Sequence, residues 1–233
     1  MSDSLPIVLV PGLACSPRVF AAQLPALRRH GPVSVASPLR DNTMEGIAKR
    51  ILDGAPPRFA LAGHSMGGYV CLEIWRQAPE RIARLALLNT YSRPDPPEGA
   101  EHRRRRITEV QQGGYRAVLE RMFADAVHPR LANDAALKQL ILDMGDEVGP
   151  EAFVRQVEAI MTRGDARPLL ASISCPTLVL TSDSDRSVPN QASFAMAEAI
   201  PGAKLVVIPE CGHLPPLEKP EALTVALLNW LAM

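Results

Sequence analysis

The 233-residue chain has no apolar run approaching the roughly 18 residues that a helical membrane span requires, so none is expected. It has no net charge: 25 basic residues balance 25 acidic ones. That balance leaves no electrostatic basis for nucleic acid or an anionic membrane as partner. The four cysteines, Cys15, Cys71, Cys175 and Cys211, lack the spacing of metal ligands. They read as reduced, mostly buried thiols of a cytoplasmic protein, and neither a metal nor a cofactor is expected. The opening MSDSLPIVLVPGL lacks the basic segment of a secretory signal. Internal repeats and low-complexity tracts are also missing.

What is there is apolar and alternating. Hydrophobic residues make up 47% of the chain, enough for a sizeable core. Short apolar runs at 7–10, 33–37, 59–63, 84–90, 176–182 and 204–210 have the length of buried strands. Helical patterns separate most of them, at Pro17–Arg29, Thr43–Leu52, 66–77, Gln191–Ile200 and Glu221–Leu231, with Thr43 placed to cap its helix. Strands apolar on both faces and alternating with helices predict an α/β fold with a mostly parallel six-stranded sheet flanked by helices. In such sheets ligands bind beyond the carboxyl ends of the strands.

Residues 92–170 break the alternation. They open on the turn-rich SRPDPPEG and continue with helical patterns at Glu101–Gln111, Tyr115–Phe123, Asn133–Met144 and Pro150–Thr162. The segment reads as a helical cap inserted between two parts of a core, 1–91 and 171–233. Its RRRR run at 103–106, with Glu101 and Glu109 nearby, reads as a solvated helix face rather than an anion site.

Residues 63–67, GHSMG, fit G-x-S-x-G between a strand and a helix, the setting of a nucleophile elbow. Ser65 would be held on the turn, with the amino end of the following helix favouring negative charge. A serine nucleophile needs a base. Of five histidines, His30 ends a surface helix, His64 points away from its neighbour Ser65, and His102 and His128 fall in the insertion. His213 follows the sixth strand, at the edge where a base belongs. Asp183 and Asp185, just past the fifth strand, are candidates for the acid, with Asp95 past the fourth as another. An oxyanion would be met by the backbone N–H of Met66 and, from the loop after the first strand, that of Leu13.

These stretches resemble the α/β-hydrolase family, in particular its small capped esterase and lactonase-type members. The resemblance rests on LVPGL (9–13), GHSMGG (63–68), PTLVLTSDSDRSVP (176–189) and GHLPPLEKPE (212–221), which span the sheet portion of the chain. It implies Ser65 as nucleophile, His213 as base and Asp185 as acid. Three departures stand out. Pro11-Gly12 replaces the family's common His-Gly, which removes a side chain that braces the oxyanion loop. No N-terminal hairpin precedes IVLV, so six strands are expected rather than eight. Ser182 stands where a strand-end glycine is common. Met122, Phe123, Met144, Met161 and Leu214 are candidates to line an acyl pocket, each weighed against ordinary packing. The implied activity is hydrolysis of a small-molecule ester by a monomer or homodimer. Thioester, lactone and C–C bond hydrolysis use the same three residues, and a non-catalytic receptor on this scaffold is the alternative of another class.

Overall fold

The computed structural model describes residues 4–233. Its strands are β1 (Ile7–Val10), β2 (Val33–Val35), β3 (Phe59–His64), β4 (Ile82–Leu88), β5 (Thr177–Ser182) and β6 (Lys204–Ile208). They form one sheet in the order β2-β1-β3-β4-β5-β6, and every pairing is parallel. The expectation of a mostly parallel six-stranded sheet is met. β1 lies between β2 and β3, so the chain leaves β1 in one direction and later returns on the other side. The reversal opens a crevice at the carboxyl ends of β1 and β3, the position where such sheets bind ligands. Val10 pairs with Gly63, which puts Pro11–Leu13 beside Ser65.

The main helices are α1 (Met44–Gly54), α2 (Met66–Gln77), α3 (Pro97–Glu109), α4 (Tyr115–Ala126), α5 (Ala135–Val148), α6 (Pro150–Met161), α7 (Asn190–Ala199) and α8 (Pro220–Leu231). Thr43 caps α1, its Oγ1 accepting from Gly46 N–H at 3.0 Å. Strand alternation divides the core into two layers. Phe59 and Leu61 pack on one face with Ile47, Val70 and Ile74 of α1 and α2. Ala60 and Ala62 face the other side, where their small size makes room for Leu223, Leu227 and Trp230 of α8.

One expected helix is broken. Pro17–Arg29 folds as a 3-10 turn at Pro17–Phe20 and a separate short turn at Leu24–Leu27. Pro25 lacks an N–H, and its ring would strike the carbonyl four residues back in a continuous helix. The segment between β4 and β5 contains α3 to α6 and no strand among the described residues. α3 passes into α4 through a wide turn, Val110–Gly114, where Gly113 takes φ 91°. This segment has its own small core, with Val118, Leu119, Phe153 and Val157 packed against Leu13 and Ala14 of the loop after β1.

A buried ion cluster anchors the segment. Asp95 accepts from Arg103 of α3 and from Arg163 just past α6. The Asp95 and Arg163 side chains are only 8% and 7% exposed. Arg163 also donates to the Arg93 carbonyl at 2.8 Å and stacks over Tyr69, 4.4 Å from the ring centre. Removing one partner of such a cluster leaves charge stranded in the interior. Asp95→Asn is therefore expected to cost about 3 kcal/mol, read as a lower midpoint in urea unfolding. An unchanged midpoint would count against a structural role for this carboxylate.

Candidate active site

Ser65 sits at the junction of β3 and α2 with φ 54° and ψ −116°, a strained backbone for a residue with a side chain. Three hydrogen bonds hold it there. Its N–H donates to Leu88 O at 2.9 Å, and its carbonyl accepts from Gly68 N–H at 2.9 Å and Thr90 Oγ1 at 2.7 Å. Two neighbours must be glycine for lack of space. A β-carbon at Gly63 would overlap the Gly67 carbonyl, and one at Gly67 would overlap the Val10 carbonyl. The turn thus brings β1, β3 and α2 together, with the amino end of α2 at the serine.

His213 reaches Ser65 from the loop after β6. Its Nε2 lies 2.8 Å from Ser65 Oγ, and its Nδ1 lies 2.8 Å from Asp185 Oδ2. A carboxylate can only accept, so Nδ1–H donates to Asp185 and Nε2 accepts from the serine hydroxyl. Asp185 is fully engaged. Oδ2 also accepts from Asn89 Nδ2 at 2.9 Å, and Oδ1 accepts from the N–H groups of Ser187 and Val188 at 2.8 and 2.9 Å. Burial alone would raise its carboxyl, but the charge of His213 and these hydrogen bonds outweigh it and hold the group below the usual carboxylate range.

The other two acid candidates stand elsewhere. Asp183 accepts from Glu210 N–H at 2.9 Å and Cys211 N–H at 3.3 Å, and so fastens the loop that carries His213. Asp95 belongs to the ion cluster. Two further braces have no counterpart in the sequence reading. Glu218 accepts from the N–H groups of Gly212, Leu214 and His128, at 3.0, 2.9 and 2.8 Å. Asn89, at φ 46° and fully buried, ties Asp185 to Ser182 Oγ.

His64 is buried beside the site. Its Nε2 lies 2.7 Å from the His213 carbonyl, which can only accept, so that nitrogen carries the proton. Burial, and then the neighbouring His213, push the His64 pKa down to about 3. It is a neutral strut beside His213.

The N–H groups of Leu13 and Met66 have no hydrogen-bond partner among the described residues. The loop between them is braced from the helical segment. Gln156 of α6, fully buried, accepts from Ala14 N–H at 3.1 Å and donates to Pro38 O at 3.2 Å. Ala14 itself takes φ 57°, which this contact helps to hold. Gln156 thus supplies a brace that Pro11 cannot. Gln156→Leu keeps the bulk but removes the acceptor. It is expected to lower kcat about tenfold with little change in KM, as loss of a transition-state contact should. A change confined to KM would show that the loop is held without it.

A cavity of about 400 Å³ opens over Ser65 and His213. Leu13, Met66, Met122, Phe123, Met144 and Leu214 line it. Met161 does not, which corrects the expectation. It is the last residue of α6, and the 100° step between helical neighbours gives the inward position to Ile160 instead. The arginine run also needs correction. Arg104 and Arg105 are solvated, 64% and 69% exposed, and lie near Glu101. Arg103 and Arg106, one turn apart on the opposite side, line the cavity. Glu109 serves Arg121 instead. Cys15, also on the wall, is kept a neutral thiol by burial, which pushes its pKa up to about 12. No cluster of residues suited to hold a metal occurs among the described residues.

The sequence profile described as "Alpha/beta hydrolase family" matches residues 7–227. The chain belongs to the alpha/beta hydrolase family. An esterase of this fold from Thermogutta terrifontis, solved with malate bound, is 33% identical and superposes with a TM-score of 0.89 over 98% of this chain and 89% of its own. RutD of Pseudomonas savastanoi pv. phaseolicola, whose assigned activity is carbamate hydrolysis, is 31% identical over 99% of this chain and 95% of its own length. The pimeloyl-[acyl-carrier protein] methyl ester esterase of Nitrosomonas europaea is 30% identical over 77% of this chain and 74% of its own. The match to RutD of Caulobacter sp. strain K31 spans 66% of that protein. The relatives named here carry hydrolase or esterase names, and this member of the family is a hydrolytic enzyme.

Proposed function

We propose that this hydrolase cleaves carboxylic esters through an acyl-enzyme on Ser65. The observation that carries the reading is the unbroken relay from Ser65 Oγ to His213 Nε2 and from His213 Nδ1 to Asp185, each step 2.8 Å. Ser65 Oγ attacks the ester carbonyl while its proton passes to His213 Nε2. The oxyanion that forms is met by the N–H groups of Leu13 and Met66. His213 then hands the proton to the leaving alcohol as the C–O bond breaks. Water, activated by the same imidazole, releases the acid and restores Ser65. Asp185 keeps the imidazole in the tautomer this sequence of proton transfers needs. Cavity residues Met122, Phe123, Met144 and Leu214 would receive the acyl or alcohol part, and residues 92–170 act as the cap over it.

Esters are favoured over other acyl compounds because two of the relatives carry esterase names. No helix among the described residues is long and apolar enough to cross a membrane. The reading of a cytoplasmic enzyme rests on its four free thiols, three of them buried. A fluorophosphonate probe followed by peptide mapping tests the proposal. Covalent label is expected on Ser65 and on no other serine. A chain that cleaves short acyl esters but never labels at Ser65 would overturn it, and a receptor on this scaffold would neither label nor cleave.

A further inference from the structure

The cavity wall also carries a positive charge that no carboxylate among the described residues pairs with directly. Arg106 lies on the cavity-facing side of α3. It has no ion-pair partner among the described residues, and its one hydrogen bond donates to His102 Nε2 at 3.0 Å. That acceptor is neutral. Partial burial, then Arg106, Arg105 and Arg103, lower the His102 pKa and favour its uncharged form. Burial and then Arg103 likewise hold the Arg106 guanidinium below its ordinary value, the direction expected of an undercompensated cation. The carboxylates of Asp125 and Glu109 act on it only through space, and less strongly than burial and Arg103 oppose it. Arg103 shares the single carboxylate of Asp95 with Arg163. Arg186, also on the wall, is taken up by the carbonyls of Ala124 and Val127. Asp125 lines the mouth but is exposed to water and makes no ion pair. Elsewhere on the same helix segment arginines are matched to acids, as Arg121 is to Glu109 and Arg116 to Asp146.

We propose that the cavity takes an ester whose far end bears a carboxylate, which docks on Arg106 with Arg103 beside it while the ester carbonyl lies at Ser65. The guanidinium fork suits a planar carboxylate and accepts it in two parallel hydrogen bonds. The apolar part of the cavity lining, with Leu119, Met122 and Phe123, suits a methylene chain. This inference rests on the acyl-enzyme reading for its orientation but not for its anion site.

The test compares monoethyl esters of dicarboxylic acids, from succinate to suberate, with the matched ω-carboxamide esters. A charge-assisted hydrogen bond to the guanidinium should favour the carboxylate at least about tenfold in kcat/KM at the best chain length. Arg106→Gln should bring that ratio close to one, Arg106→Lys should keep part of it, and Arg104→Gln, on the solvent side, should leave it intact. Because the readout is a ratio on one preparation, the fraction of folded protein cancels. The same pairs are titrated by calorimetry against Ser65→Ala with and without Arg106→Gln. Carboxylate-selective binding that depends on Arg106, without turnover by the wild type, would sink the hydrolase reading and leave the anion site standing. Equal cleavage of carboxylate and carboxamide esters at every chain length, or a ratio that survives Arg106→Gln, overturns the anion site and leaves the hydrolase reading standing.

Discussion

Ser65→Ala is expected to lower kcat on short acyl esters by about a millionfold, to the residual rate that the oxyanion donors and binding support alone. The reason lies in the division of labour at the site. On the proposed relay His213 and Asp185 have nothing to activate once Oγ is gone, so the loss equals that of the whole relay and not a third of it. Folding should be spared. The strained turn is held by backbone bonds to Leu88, Gly68 and Thr90, and alanine makes the same N–H and carbonyl contacts. Fluorophosphonate labelling should vanish with turnover. Rates within tenfold of wild type, measured on protein purified away from host esterases, would exclude Ser65 as nucleophile.

Asp185→Asn should lower kcat by about ten-thousandfold. The carboxylate accepts four hydrogen bonds, from His213, Asn89, Ser187 and Val188. An amide has only one oxygen to offer them. With its oxygen turned to the Ser187 and Val188 N–H groups, its NH2 faces His213, and the imidazole must present a bare Nδ1. The proton then sits on Nε2, where it blocks removal of the Ser65 proton. Asp95→Asn should not imitate this, because Asp95 is occupied with Arg103 and Arg163. A larger loss of kcat in Asp95→Asn than in Asp185→Asn would move the acid to the end of β4. Stability carries a second signature. The folded-state pKa of Asp185 lies below that of an unfolded aspartate. Its ionised form therefore contributes stability that is complete above about pH 3.9 and lost as pH falls through the lower folded value. The gap in thermal midpoint between wild type and Asp185→Asn should narrow over that acid range.

Legibility in the sequence followed the range of the interactions. The central strands were readable because burial on both faces leaves a continuous apolar run, and the carboxyl ends of the strands located Ser65 and His213. The acid took more, because Asp183 and Asp185 both follow β5 and only the family resemblance pointed to Asp185. In the fold they part by two residues of turn, one bonding the loop before His213 and the other the imidazole. Gln156 left a faint local trace. It interrupts an apolar face made of Phe153, Val157 and Ile160, and a buried amide on such a face demands partners. Which partners it has depends on how α6 lies over the loop after β1. Asn89 could also have been flagged, as a polar residue just past a central strand. Glu218 carried no such signal.

The sequence by itself determined the layered α/β architecture, the sharp turn at Ser65 and the order of the groups along the chain. These depend on periodicity, on glycine at places too close for a side chain, and on residues within a few positions of each other. Only the tertiary structure decided which face of the four-arginine run looks inward, and why Met161 stays off the cavity wall while Ile160 reaches it. Those outcomes follow from the rotation and docking of helices between β4 and β5, set by contacts between residues far apart in the chain. A local pattern reports which side of a helix is apolar, but the partner across the gap decides which charge is left without one.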